Sequence, residues 1–160
     1  MKYHMRRQDK EIKDPSLLKK ILKQTKYVTI AMCKDNRPYL VTLSHGYDEE
    51  NNCIYFHCAR EGKKLDYLKA NDIVWGQALI DYGYKGDCTQ HYATVMFQGK
   101  ISFVDEIEKK HHAFTIMKEH LDSSQKGLEE YLKSDISNTL VGKISIEFLS
   151  GKKSSKKLEI

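Results

Sequence analysis

The stretch Ile54–Asn71, "IYFHCAREGKKLDYLKAN", decides how the chain is read. It opens as a short apolar and aromatic run, the pattern of a strand. A basic turn follows, and then a helix over about Gly62 to Ala70, with Leu65 and Leu68 as its packing residues. Lys63 and Lys64 stand at the start of that helix, where the macrodipole favours negative charge. His57 closes the strand just before them. A bound anion would resolve the conflict between the lysines and the dipole. The plainer reading is that both lysines belong to a solvated helix face.

The 160 residues suit one domain with a real core, and the 40% hydrophobic content is ordinary for a globular protein. No apolar run approaches the ~20 residues that cross a bilayer. The start, "MKYHMRRQDKEIKD", is basic but has no apolar segment of the kind a secretory signal carries, so a cytoplasmic protein is expected. Cys33, Cys53, Cys58 and Cys88 include no CxxC pair, which favours free, mostly buried thiols over disulfides or a zinc site. His111, His112 and His120 lack HxxxH spacing, and no metal is expected.

The net charge of +5 raises the question of nucleic acid. Residues 1–13 and 150–160 each carry a surplus of three positive charges, which leaves one net negative charge for residues 14–149. The basic excess therefore sits in two ends that read as flexible, about 1–10 and 151–160. A basic groove is not indicated, and no nucleic-acid or membrane partner is expected.

Along the chain, Asp14 and Pro15 open a helix with Leu17, Leu18, Ile21 and Leu22 on one stripe. Strands are expected over 27–34, 39–47, 53–59, 72–82, 92–104 and 141–149, with helices over 106–121 and 128–136. "DNRP" and "DEENN" are turns, and "GYKGDCTQH" is a loop. Short turns between successive strands imply antiparallel pairing and a small barrel of about six strands with peripheral helices. No strand–GxGxxG–helix unit or Walker sequence is present.

Several weak motifs then fall in order. "MRRQDKEIKD" (5–14), "RPYLVTLSHGY" (37–47), "IYFHCAREGKK" (54–64) and "CTQHYATVMFQGKISFV" (88–104) together resemble the flavin-binding proteins of the pyridoxamine-phosphate-oxidase-like superfamily, closest to the nitroimidazole-resistance branch. The resemblance spans roughly residues 5 to 149. It implies a split β-barrel of antiparallel strands, usually a homodimer, with FMN at the subunit interface.

On that resemblance Lys63 and Lys64 are the phosphate ligands and Arg60 a third. A dianion held at a helix N-terminus by lysines is physically apt. His57 would meet the phosphate or ribityl chain, and backbone groups of Val41, Thr42, Leu43 and Ser44 the ring edge. Thr94 and Gln98, on the polar face of the fifth strand, are candidates to complete the site, from the same or the other subunit, and His45 is a candidate to carry substrate or a proton. The plain alternatives stand beside these: His57 and His45 as structural histidines, Thr94 and Gln98 as surface residues. The family segment often has arginine where Gln90, His91 or Ala93 stands, so one expected cation is missing.

The function implied is an FMN-dependent oxidoreductase that passes electrons to a small electrophile, with nitroaromatic reduction as the candidate reaction. The flavin would supply the redox chemistry and the protein its binding and orientation. Oxidation of pyridoxamine phosphate is not expected, because "SGKKSSKKLEI" (150–160) lacks the arginine-containing segment of true oxidases. The alternatives are a non-catalytic flavin carrier and a small barrel that binds nucleic acid through its basic ends.

Overall fold

The computed structural model describes residues 5–84, 86, 88–121, 139–155 and 160. Helix α1 (Pro15–Gln24) starts where the Asp14 carboxylate accepts the Ser16 amide at 2.9 Å, with Pro15 in the first turn. It buries Leu18, Ile21 and Leu22. Strands β1 (Tyr27–Lys34) and β2 (Arg37–Ser44) form a hairpin. Asp35 and Asn36 turn it with φ of 50° and 56°, the conformation that matches the twist of a two-residue hairpin. β3 (Gly46–Asp48) and β4 (Cys53–Cys58) follow, then α2 (Lys63–Ala70), β5 (Ile73–Tyr84), β6 (Gln90–Val104), α3 (Ile107–His120) and β7 (Leu140–Lys153).

All seven strands belong to one antiparallel sheet in the order β2-β1-β5-β6-β7-β4-β3. β2 and β3 are its two edges, yet only His45 separates them in the chain. Seven strands laid flat would put the edges about 29 Å apart at roughly 4.8 Å per strand. Ser44 and Gly46 are joined by two Cα steps, about 7 Å of reach. The sheet must therefore curl until its edges nearly meet. The result is a barrel that is not closed, split at a seam crossed by His45.

The apolar interior follows from that curl. Ile30, Ile54, Phe56, Val74, Val95, Phe97 and Ile144 have no exposed surface and form one core. β4 is buried on both faces. Ile54 and Phe56 point into the barrel, while Cys53 and Tyr55 join Phe114 and Met117 under α3. That double burial explains why "CIYF" reads as an unbroken apolar run.

α3 is fastened across the seam. His112 Nε2 lies 3.0 Å from Asp48 Oδ2 on β3. The Nε2–H of His120 donates to the Thr25 carbonyl at 2.7 Å, and Lys26 Nζ donates to the His120 carbonyl at 2.5 Å. Gly46 lets the helix come this close, because a Cβ there would stand 2.7 Å from the Met117 backbone. Among the described residues no helix is long and apolar enough to cross a membrane.

The sequence reading is met in class and corrected in detail. The expected strand 39–47 is two strands, so the sheet has seven rather than about six. Alternation along 39–47 continues unbroken, but the chain leaves one edge of the barrel at Ser44 and joins the other at Gly46. The expected loop 83–91 is shorter, because β5 continues to Tyr84 past a register shift at Asp81/Gly83. Gly83 takes φ 71° there and donates its amide to Asp81 Oδ1 at 2.8 Å. The basic C-terminal stretch is not loose from residue 151: β7 runs to Lys153, and Ile12 donates its amide to the Gly151 carbonyl at 2.9 Å. The expected helix 128–136 lies outside the described residues. Of the four cysteines, which are free thiols, Cys53 is buried and Cys58 half-buried, while Cys33 and Cys88 are exposed.

Gly46→Ala should destabilise the protein by about 1–3 kcal/mol, the usual cost of overpacking a filled contact. Urea unfolding would show it as a lower midpoint. An unchanged midpoint would mean that α3 does not press on the seam.

Candidate functional site

α2 begins beside the seam. Gly62, at φ 121°, is its N-cap and offers no side chain to the first turn, where the Leu65 and Asp66 amides donate to the Gly62 carbonyl at 2.9 and 3.3 Å and the Lys63 and Lys64 amides precede the helix's own bonds. Lys63 and Lys64 enter at this point. The Lys63 ammonium stands 4.4 Å from the centre of the Tyr39 ring on β2 and 5.6 Å from that of Tyr67 on α2. The Lys64 ammonium stands 5.4 Å from the Phe56 ring centre on β4. The two lysines thus bridge the strands on either side of the split. Two cations beside a helix start that lacks a side-chain cap are groups that could hold an anion.

His57 ends β4 on the same side, exposed, with its ring 5.9 Å from Phe114. Crowding by protein lowers its pKa from the ordinary value, and the Lys64 charge lowers it further, so the ring is neutral near pH 7. Burial raises the pKa of the neighbouring Cys58 thiol, and Lys64 opposes that shift. Arg60 is exposed on the turn between β4 and α2. Lys63, Lys64, His57 and Arg60 therefore come from one strand–turn–helix unit.

β2 has one strand neighbour, β1, and its other edge is the sheet's outer edge. Among the described residues no strand pairs with alternate backbone amides and carbonyls between Val41 and Ser44 along that edge. Thr42 and Ser44 are exposed, Val41 half-buried and Leu43 buried. The Thr42 hydroxyl lies 2.9 Å from that of Thr29.

Three other expected site residues lie away from the lysines within one chain. Thr94 is buried, donating its hydroxyl to the Ala78 carbonyl at 2.9 Å and accepting from Gln77 Nε2 at 3.0 Å. Both hydroxyl roles are used inside the sheet. Gln98 is half-buried, paired with Trp75 on β5 and Phe148 on β7. His45 has no exposed surface. Its Nε2 meets the Leu22 carbonyl at 3.3 Å, and its ring centre lies 4.4 Å from that of His120. It touches protein on every side, as a seam residue must.

A second feature was not anticipated. Strand register places Leu40, Trp75, Gln98 and Phe148 on one face of the sheet, facing away from the core. Large apolar side chains are exposed on it: Leu40 at 63%, Leu79 at 52%, Trp75 at 40% and Phe148 at 37%. Trp75 and Phe148 meet edge to face at 5.9 Å. A cavity of about 700 Å³ opens beside them, with Met96 and Leu149 also in its wall and Ile12 and Leu18 opposite. The signal was present in "DIVWGQALIDY", which is apolar on both faces, the pattern of a strand covered on both sides.

Comparison with known proteins now bears on the whole chain. The family profile described as "Pyridoxamine 5'-phosphate oxidase" matches residues 14–153. The chain belongs to that family. Solved structures of similar fold include a proposed 5-nitroimidazole antibiotic resistance protein from Bacteroides thetaiotaomicron, at TM-score 0.76 and 21% identity, covering 95% of this chain and 96% of that one. An FAD-binding protein from Mesorhizobium loti aligns at TM-score 0.64 and 23% identity, over 89% and 96%. An FAD and heme binding protein from Mycobacterium smegmatis aligns at 0.70 and 14%, over 94% and 76%. No protein of curated function matches. At these identities the likeness to solved structures is one of fold, and it places this member of the pyridoxamine 5'-phosphate oxidase family among split barrels.

Burial, and next the His120 charge, lower the His45 pKa from 6.5 to about 3. The unfolded chain therefore binds a proton at His45 below about pH 6.5 that the folded chain refuses until about pH 3. This contribution to stability is complete above 6.5 and is lost as pH falls towards 3, with a slope of at most about 1.4 kcal/mol per pH unit. Urea unfolding between pH 7 and 4 should be steeper in pH by up to one proton for the wild type than for His45→Gln. Equal slopes would show that His45 is not held neutral.

Proposed function

We propose that this protein binds FMN as an FMN-dependent oxidoreductase that passes electrons to a small electrophile, with nitroaromatics as the acceptors to test first. One observation carries the reading: two adjacent lysines at a helix start without a side-chain cap reach to rings on β2 and β4, next to a strand that is an edge of the described sheet. The phosphate would take the Lys63 and Lys64 ammonium groups and the backbone amides of the same two residues, with Arg60 beside them. The ribityl chain would pass His57. The flat ring would lie along the outer edge of β2 and use backbone groups of Val41 to Ser44. When bound, the flavin supplies the electron transfer. The chain's own part is to bind the phosphate, orient the ring and keep water from one side of it. His57, neutral at pH 7, accepts a hydrogen bond or a proton at a ring nitrogen.

The second wall of the site would come from another copy of the chain. The outward sheet face of Leu40, Trp75, Leu79 and Phe148 supports this, because a monomer seldom leaves so many large apolar side chains on one surface. A twofold dimer would bury that face and cover the flavin from its open side. Trp75→Glu with Leu79→Lys should then give a monomer in sedimentation experiments and lose FMN. A wild-type monomer that holds FMN would refute the shared site.

The enclosed position of His45 favours a second reading, flavin binding without turnover, since of the two expected site histidines only His57 lies beside the lysines. Oxidation of reduced nicotinamide with a panel of nitroaromatic and quinone acceptors separates the two. Steady acceptor-dependent turnover supports the enzyme, and tight FMN with none supports the carrier. The binding claim itself is tested by Lys63→Met/Lys64→Met. Loss of two charge-assisted contacts should weaken FMN roughly a hundredfold. Unchanged affinity would return the lysines to a solvated helix face.

A further inference from the structure

We propose that Tyr39 and Tyr67 are positioning residues that hold the Lys63 ammonium ready at the phosphate end of the site through their ring faces. The inference rests on the FMN reading above and adds to it a role for two tyrosines outside the expected set.

The geometry is that of a cation held by two rings. Tyr39 projects from β2, and Tyr67 stands four residues after Lys63, one turn further along α2. Their ring centres are 5.2 Å apart with planes inclined at 54°. The Lys63 ammonium lies within 6 Å of both centres, the range in which a ring quadrupole attracts a cation. Among the described residues no carboxylate pairs with Lys63. That difference matters. A carboxylate would neutralise the lysine and compete with the phosphate. Ring faces restrain the ammonium, leave its charge intact and leave its remaining N–H groups free to donate.

The restraint has a consequence for binding. A lysine side chain free in solvent gives up rotamer freedom when an anion fixes it. One already parked on two rings gives up less, so the phosphate meets a partly ordered cation. Lys64 does not need the pair, because it rests on Phe56, which has no exposed surface and is fixed by the core. Lys63 springs from an exposed helix start and has no such floor except the tyrosines.

The test compares FMN with riboflavin, which has the same ring and ribityl chain but no phosphate. Dissociation constants of both are measured on the full-length protein by flavin fluorescence, for wild type, Tyr39→Phe, Tyr39→Leu, Tyr67→Leu, Lys63→Met and Tyr39→Leu/Lys63→Met. Thermal melts establish that each variant folds. Wild type should prefer FMN, and Tyr39→Phe should keep that preference because it keeps the ring face. Tyr39→Leu and Tyr67→Leu should each narrow the preference roughly three- to fivefold, the worth of one exposed cation–ring contact. In the Lys63→Met background the tyrosine change should cost nothing further. If Tyr39→Leu should misfold, Tyr67→Leu on the surface helix carries the same comparison. Loss of both flavins in parallel, or the same loss with and without Lys63, would overturn the inference and leave the tyrosines as packing. Wild type binding neither flavin would overturn the FMN reading itself. Equal affinity for the two flavins would overturn the phosphate assignment.

Discussion

The chain passes from one edge of a seven-stranded sheet to the other through a single residue, His45. Covalent geometry allows this only if the sheet closes on itself almost completely. The barrel core, the covering of the seam by α3 and the place of α2 all depend on that crossing. His45 is buried because the crossing point is enclosed by α1 on one side and α3 on the other. Its place on the expected strand 39–47 made it a candidate for chemistry. The topology makes it interior instead, and its depressed pKa is the electrostatic mark of that enclosure.

The same split underlies the proposed anion site. A closed barrel has no free edge. Here β2 is an edge among the described strands and Lys63 of α2 reaches its Tyr39 ring, so two cations and a strand edge lie near one another. Lys63 reaches to the β2 side and Lys64 to the β4 side. The conflict between two lysines and the helix dipole is local and modest, tenths to about 1 kcal/mol each. A phosphate dianion reverses its sign. The outward apolar face is a separate feature that asks for cover, and a second copy of the chain would answer both needs at once.

Much of this was legible in the sequence where local chemistry dominates. The Asp14–Pro15 start of α1, the hairpin at Asp35–Asn36 and the strand–turn–helix unit around Gly62 each depend on residues within a few positions of one another. What was missed depends on distant partners. Alternation placed Thr94 on the polar face of its strand, but only the pairing of β5 shows Gln77 covering it. Trp75 and Leu79 alternate correctly and still face outward, because their neighbours on that face come from four other strands. The break at His45 leaves no trace in periodicity, since the alternation 39–47 runs through it. Tyr39 and Tyr67, 28 residues apart, meet only because α2 packs back across the seam.

The central claim is that this split barrel was built to hold a phosphorylated flavin. The visible absorption spectrum of the protein as purified, followed by heat release and identification of the chromophore, tests it most directly. The account predicts a two-banded yellow spectrum and release of FMN close to one per chain, either as isolated or after incubation with FMN. A colourless protein that takes up no added FMN would contradict it. The barrel would stand, and Lys63 and Lys64 would be read as a solvated face.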